Sequence, residues 1–419
     1  MTDSTKFWER LQGAPTNGEN REEVRKHRLH IRGIEIRTGE RLCAVSLVKR
    51  FTPAVWNTEF KESFDDTATL AARCWLKRAQ EKSLLSGWTS SSNGQWLHWA
   101  KRNQDRNENS CPDELWTQIQ TAKQILGRPP AYYAIVMMDG DRIGSKLTEC
   151  GSAQALAELS RAMGKFATED VPQIVSAAAG ELIYAGGDDV LALVPVERVL
   201  TCVEQLQQKF HKVISPSVPE KVATVSAGIA VVHYKEDLRF ALGAARKAEK
   251  VAKDCGRNRL GLQLCRRSGE HSMHLMTWDL VGELRDIQNA FLKTDDHEAA
   301  SDRWAYHLAE LFAHLADPTT GTTALHPARS DSEITAADSA WKGLPQALIR
   351  KVVNRAEKST REAIGGGDPD RAAEKIIHLF ERCCEDSKKH RNGASQPEAA
   401  LEAVRLCQAA SFLARGRDQ

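Results

Sequence analysis

The chain has 419 residues, enough for two or three domains with their own cores. Hydrophobic residues make up 41% and charged residues 27%, a soluble globular mixture, and no apolar run reaches bilayer-spanning length. A net charge of +2 excludes a global field that draws in nucleic acid, so any such contact must come from a local patch.

Residues 1–129 read as a mainly helical region. The first residues carry no signal-peptide apolar core. Ten cysteines are scattered without paired spacing apart from Cys383-Cys384, so a reduced, cytoplasmic protein with no membrane partner is expected. Helices are predicted over 20–31, 59–84 and 112–126, the last entered through Ser110-Cys-Pro-Asp-Glu. Residues 89–111 are rich in Ser, Asn and Gly and read as a loop. Seven of the ten tryptophans fall in this region, and core packing is a commoner use for them than base stacking. The basic stretch Arg21–Arg37 suits either RNA phosphates or a solvated helix face. Around Cys43 the pattern is that of a zinc knuckle without its second cysteine, and no zinc is assigned because a structural site needs about four ligands.

Residues 130–270 form the central domain. Ala131–Met138 is a continuous apolar run of strand length that delivers Asp139-Gly140-Asp141 at its end. A helix is predicted over Ala153–Lys165, continuing through Val171–Ala179. Glu181–Val194 is two short strands around Gly186-Gly187-Asp188-Asp189, and Gly-Gly supplies the backbone freedom of a tight hairpin turn. A helix over Val196–Val213, a strand over Val222–Val232, a helix over Asp237–Cys255 and a strand over Arg259–Cys265 complete the domain. The order βαββαβ predicts an α+β fold, a ferredoxin-like palm whose sheet is covered by helices on one face. Residues 271–419 read as a helical C-terminal domain opening on an edge strand, with a linker at about 317–340 and about three helices over 341–415, broken at Gly365–Pro369. His271 and His274 are read as a surface pair, with no third ligand near them in the sequence.

The chemistry is expected at the hairpin. On a palm sheet the first strand lies beside the hairpin, which brings Asp139 next to Asp188 and Asp189. Three carboxylates packed together repel one another unless a cation compensates, and such a set suits Mg²⁺ or Mn²⁺ with positions left for phosphate oxygens. Two ions about 3.5–4 Å apart would activate a 3′-hydroxyl and stabilise leaving pyrophosphate. Asp141 is a candidate for nucleotide contact or for fixing the loop, and Gly140, Gly186 and Gly187 leave room for a nucleotide near the backbone. Lys253, near the end of the third helix, is placed either to meet a triphosphate or to serve the helix dipole.

Four segments together resemble the polymerase/cyclase palm of the large signature subunit of type III CRISPR effector complexes, Cmr branch: Met138–Gly144, Tyr184–Asp189, Val225–Ala230 and Ala252–Asn258. Glu40–Arg50 resembles the zinc-bearing linker of that subunit, with Ser46 in place of a cysteine. The resemblance implies that ATP is joined 3′ to 5′ into cyclic oligoadenylate when the complex binds target RNA, as an antiviral signal. It implies Asp188 and Asp189 as the metal-binding pair, Asp139 as the strand acid and Lys253 as a triphosphate contact. Its implied partners are the other subunits of the ribonucleoprotein, guide RNA and target RNA. No nuclease His-Asp motif and no first palm are seen in the sequence, so a partner chain or a second copy is expected to complete the nucleotide pair. Two other readings remain: a scaffold palm that binds nucleotide without turnover, and a diguanylate cyclase, from whose Gly-Gly-(Asp/Glu)-Glu-Phe signature Asp189-Val190 departs.

Overall fold

The computed structural model describes residues 65–90, 92–101, 110–218, 222–292, 299–315, 343–390 and 396–416, with two short strands nearer the N-terminus. The chain divides into two units, Met1–Asp65 and Asp66–Gln419. In the first, β1 (His30–Ile31) pairs antiparallel with β2 (Ile34–Glu35). The helix predicted over 20–31 therefore does not hold at its last two residues, where the β-branched Ile31 faces Ile34 across a ladder. The rest of that helix, Glu40–Arg50 and the linker at 317–340 lie outside the described residues.

The second unit is built on a six-stranded sheet in the order β4-β5-β3-β6-β7-β8. The strands are β3 (Tyr132–Gly140), β4 (Glu181–Gly186), β5 (Asp189–Pro195), β6 (Val225–His233), β7 (Arg259–Cys265) and β8 (His271–Thr277). All neighbours are antiparallel except β6 and β7. The first four strands in chain order make the βαββαβ palm, and β7 and β8 extend it.

Thirteen helices surround the sheet among the described residues. They are α1 (Thr67–Glu81), α2 (Asp113–Leu126), α3 (Ile143–Thr148), α4 (Ala153–Lys165), α5 (Val171–Ala177), α6 (Val199–Ile214) and α7 (Leu238–Asp254), followed by α8 (Trp278–Ala290), α9 (Arg303–Leu315), α10 (Leu344–Val353), α11 (Lys358–Gly365), α12 (Ala372–His390) and α13 (Gln396–Arg415). A π-helical turn, Phe166–Asp170, joins α4 to α5. The C-terminal segment holds four helices after the linker rather than three, because the chain already turns at Asn354–Glu357 before Gly366 and Gly367 turn it again.

Helices cover both faces of the sheet, which corrects the one-face expectation. On the first face, Tyr132, Ala134, Val136 and Met138 of β3 pack with α5, α6 and the C-terminal helices in one continuous core. On the second, Tyr133 and Ile135 pack with α1 and with Ala241, Ala244 and Ala245 of α7. Gly228 on β6 and Gly261 on β7 lie side by side and leave that face bare. A Cβ on Gly228 would come within 2.8 Å of the Glu249 Cα, and one on Gly261 within 2.9 Å of the Ala248 carbonyl carbon. Only a helix of small residues fits so close to two glycines, and α7 supplies Ala241, Ala245, Ala248 and Ala252.

Asp66 starts α1 by accepting from the backbone of Ala68 and Thr69 at 2.9 Å. The outer side of α1 packs with α2 through Trp75, Leu115 and Ile119, and Trp88, Trp96, Trp99 and Trp116 gather around that cluster. The tryptophans in this part of the molecule therefore serve packing. The loop expected over 89–111 contains a 3₁₀ turn at Gly94–His98, held because Asn93 caps it and Leu97 is buried. At the far end of the chain, the Gly416 carbonyl accepts from Ala131 and Tyr132 at 2.6 and 3.1 Å, and Phe412 meets Tyr132 edge to face. Among the described residues no cysteine forms a disulfide and no helix is long and apolar enough to cross a membrane.

His274 is buried, not at the surface. Its Nδ1 lies 3.2 Å from Glu402 of α13 and its Nε2 3.0 Å from the Ser272 hydroxyl. His271 is exposed and lies beside the Phe240 ring.

Candidate active site

Strand parity decides where the acids point. Met138 and Val190 are buried in the first-face core, so their neighbours Asp139 and Asp189 face the second side. β3 and β5 are adjacent, with Met138 opposite Val190, and this places the two carboxyls together. Gly187 makes the turn with φ +75. Asp188 then folds back on Gly140, where an added Cβ would stand 2.8 Å from the Asp188 Cβ. The structure thus brings Asp139, Asp188 and Asp189 into one cluster at the end of β3.

Lys253 joins them from α7. Its ammonium pairs with Asp139 and, at 2.5 Å, with Glu249 one turn earlier on the same helix. This contact depends on the glycine pair, because Glu249 is the residue seated on Gly228. Glu249 was missed in the sequence, although its i,i+4 spacing to Lys253 is the usual signature of a helical ion pair.

The cluster is electrostatically tense. Burial pulls the Asp139 carboxyl up, but hydrogen bonds with Asp189 and Lys253, helped by the ammonium charge, outweigh it and hold the group below the ordinary range. Asp189, hydrogen-bonded to that carboxylate, partly desolvated and facing the charges of Asp139 and Asp188, is pushed up to about 7. Asp188 is raised by burial and by the Asp139 charge, against the pull of its own backbone N–H and of Lys253. Burial alone would lower Lys253, and its bonds to Asp139 and Glu249 raise it instead. Asp189 therefore keeps its proton to higher pH than an ordinary carboxyl, as one of two close carboxyls does.

Asp141 stands apart from this cluster. It is 3% exposed, and its carboxylate accepts from the Ser226 hydroxyl at 2.7 Å, the Thr224 hydroxyl at 2.9 Å and the Asn258 backbone N–H at 3.0 Å. Asp141 N–H donates to the Thr224 carbonyl at 2.9 Å. The residue ties the end of β3 to the start of β6 and to the turn after α7. In that turn Gly256, Arg257 and Asn258 all have positive φ. The room beside Gly140 is filled by Ile143 and Asp188, and that beside Gly186 by the Tyr184 phenol.

Among the described residues no group of three or more His, Cys, Asp or Glu side chains is arranged so that it could hold a metal ion. The donor set still fits a hard divalent cation. Mg²⁺ is commonly held by one or two carboxylates, with water and substrate phosphates filling the remaining positions. Asp139 and Asp189 supply such oxygens side by side, within hydrogen-bond reach of each other.

Residues 132–261 match the family model of the Cas10/Cmr2 second palm domain. Over those residues the palm is similar to that family. The chain is also 27% identical over 326 residues to the CRISPR system Cmr subunit Cmr2 of Pyrococcus furiosus, an alignment that spans 64% of this chain and 37% of that protein. Both matches support a large subunit of a type III CRISPR system. Among solved structures, Csm1 of T. onnurineus aligns with a TM-score of 0.42 and 16% identity, covering 68% of this chain and 37% of Csm1. A Csm1–Csm4 cassette in complex with cA4 aligns with a TM-score of 0.34 and 16% identity, covering 68% of this chain and 36% of that one. The chain thus spans well under half the length of the relatives it matches.

Proposed function

We propose that this chain carries the nucleotidyltransferase site of a type III CRISPR effector complex and joins ATP 3′ to 5′ into cyclic oligoadenylate. The observation that carries this reading is the clustering of Asp139, Asp188 and Asp189, with Asp189 pushed up to about 7 by its hydrogen bond to Asp139, by burial and by the charges of its two neighbours. Asp139 and Asp189, with Asp188 beside them, would hold Mg²⁺ or Mn²⁺. When bound, the cation would lower the pKa of an attacking hydroxyl and neutralise departing pyrophosphate.

The chain's own groups do the rest. Lys253 holds Asp139 ionised and offers a fixed positive charge to a triphosphate. Gly140 and Gly186 let the Asp188 side chain and the Tyr184 phenol close against the backbone beside the acids. Asp141 keeps the loops on either side of the site in register. Guide RNA, target RNA and the other subunits would act on this site from outside the palm. A second chain or a second copy would supply the other half of the nucleotide pair.

A scaffold palm without turnover is the second reading, favoured by the Lys253 ammonium already seated on Asp139, where, among the described residues, no three His, Cys, Asp or Glu side chains are arranged so that they could hold a metal ion. Incubation with ATP or GTP and Mn²⁺, with and without RNA and partner subunits, separates the possibilities. Oligoadenylate supports the proposal, cyclic diguanylate a signalling cyclase, and no product under any condition the scaffold. Asp188→Asn with Asp189→Asn should abolish product while assembly persists, and unchanged synthesis by that double variant removes the site assignment.

A further inference from the structure

Strand β4 carries an irregularity next to the acids. Leu182 lies opposite Ala192, yet Tyr184 lies opposite Leu191, so the register slips by one residue at Ile183. Directly opposed residues on paired strands share a face. Ala192 belongs to the first-face core, and Leu191 packs toward the second-face core. Without the bulge Tyr184 would follow Leu182 onto the first face. With it, the tyrosine is turned onto the second face, the side that bears Asp139, Asp189 and Lys253. Bulges are common beside active sites because they re-aim a side chain in this way.

The redirected tyrosine is not covered. Tyr184 is 54% exposed, a large fraction for an aromatic ring. Its hydroxyl end rests against Gly186, whose missing Cβ makes the room, and Gly186 is the residue paired with Asp189. The ring therefore starts at the acid cluster and runs back along the strand, leaving a face open to solvent. Two residues of strand span roughly 7 Å, which is about the reach of a ribose between a phosphate and a base.

From this geometry we infer that Tyr184 is the stacking platform for the purine base of a nucleotide whose phosphates lie at the acid cluster. The inference rests on the nucleotidyltransferase reading and names the residue that grips the base. An aromatic ring meets any base through its π-face, and hydrogen-bonding groups are not required for that grip. The platform therefore supplies affinity for nucleotide over bare phosphate and leaves discrimination between adenine and guanine to other groups.

The test compares the full chain with Tyr184→Ala and Tyr184→Phe. Binding is measured by calorimetry in Mg²⁺ with a non-hydrolysable ATP analogue and, separately, with inorganic tripolyphosphate. Tyr184→Ala should weaken the ATP analogue by roughly tenfold or more and leave tripolyphosphate within twofold. Tyr184→Phe should bind both like the unsubstituted chain. Because the side chain is exposed, both variants should keep the parent melting temperature. Unchanged binding of the ATP analogue by Tyr184→Ala overturns the platform and leaves the proposed function standing. Equal losses for both probes also overturn it, because the ring would then be supporting the phosphate site. Loss of self-association or of a co-purifying subunit, with nucleotide affinity intact, would make this edge a protein interface instead. Failure of the unsubstituted chain to bind either probe would remove the nucleotidyltransferase reading together with the platform.

Discussion

Substitution of Gly228 by Ala tests how helix seating sets the site. A methyl group at this position would stand 2.8 Å from the Glu249 Cα, with the Glu249 nitrogen and the Ala245 carbonyl oxygen closer still. Ordinary contact begins near 3.4 Å, and these neighbours are backbone atoms that have no rotamer to change. Helix α7 must then rise from the sheet by roughly 1 Å, an overpacking strain that costs about 1–3 kcal/mol. Lys253 lies one turn beyond Glu249 and would be carried away from Asp139. A displacement of that size in a positioning group can cost about 10²-fold in turnover. Gly243→Ala is the matched control, because it lies on the same helix with nothing within 4 Å of an added Cβ. It should be neutral or stabilise by about 0.5–1 kcal/mol. Urea unfolding followed by circular dichroism reads the stabilities, and ATP consumption with Mn²⁺ reads the site. If Gly228→Ala unfolds like the parent, close helix–sheet contact does not hold Lys253 in place.

Other expectations follow from named contacts. Asp141→Ala should destabilise by about 2–4 kcal/mol, since two hydroxyls and the Asn258 N–H lose their acceptor, and a chemical melt unmoved by the change would refute the clasp. Arg259 and Asp386 form a buried ion pair at 3.6 Å between β7 and α12. Arg259→Met or Asp386→Leu alone should cost about 3–5 kcal/mol, and the two together much less than their sum, as measured in a double-mutant cycle. Burial, with help from the nearby Lys123 and Lys235 charges, lowers His98 to about 4, against an unfolded value of about 6.5. Between those values the unfolded chain binds the proton and the folded one does not. The contribution is therefore whole above pH 6.5 and falls by about 1–3 kcal/mol toward pH 4. Unfolding at pH 7 and pH 5 should show a smaller acid loss in His98→Phe than in the parent, and equal losses would contradict the assignment.

The meeting of the acids was legible because two independent patterns converge. A strand-length apolar run ends in Asp139, and two short strands flank a glycine turn beside Asp188 and Asp189. The palm order followed from the same alternation of strands and helices. The role of Asp141 was left open because strand parity stops at Gly140. Beyond it the chain turns, and the side chain goes inward to Thr224 and Ser226, some eighty residues away. The second-face position of α7 was hidden because Gly228 and Gly261 acquire meaning only once β6 and β7 are known to be neighbours. The bulge at Ile183 leaves no mark in an apolar run, where every residue suits either face. The burial of His274 depends on Glu402, 128 residues further on, and no local pattern links them.

The hydrogen bonds from Ala131 and Tyr132 to the Gly416 carbonyl bear on how deletion experiments should be read. The far end of the strand that they start carries Asp139. Trimming the final helix to map a docking surface would also loosen the root of the strand that carries Asp139. A function lost in such a truncation would then be mistaken for loss of a partner. Point substitutions at exposed residues of α12, such as Glu374, Lys375 and His378, would probe recruitment without untying that knot.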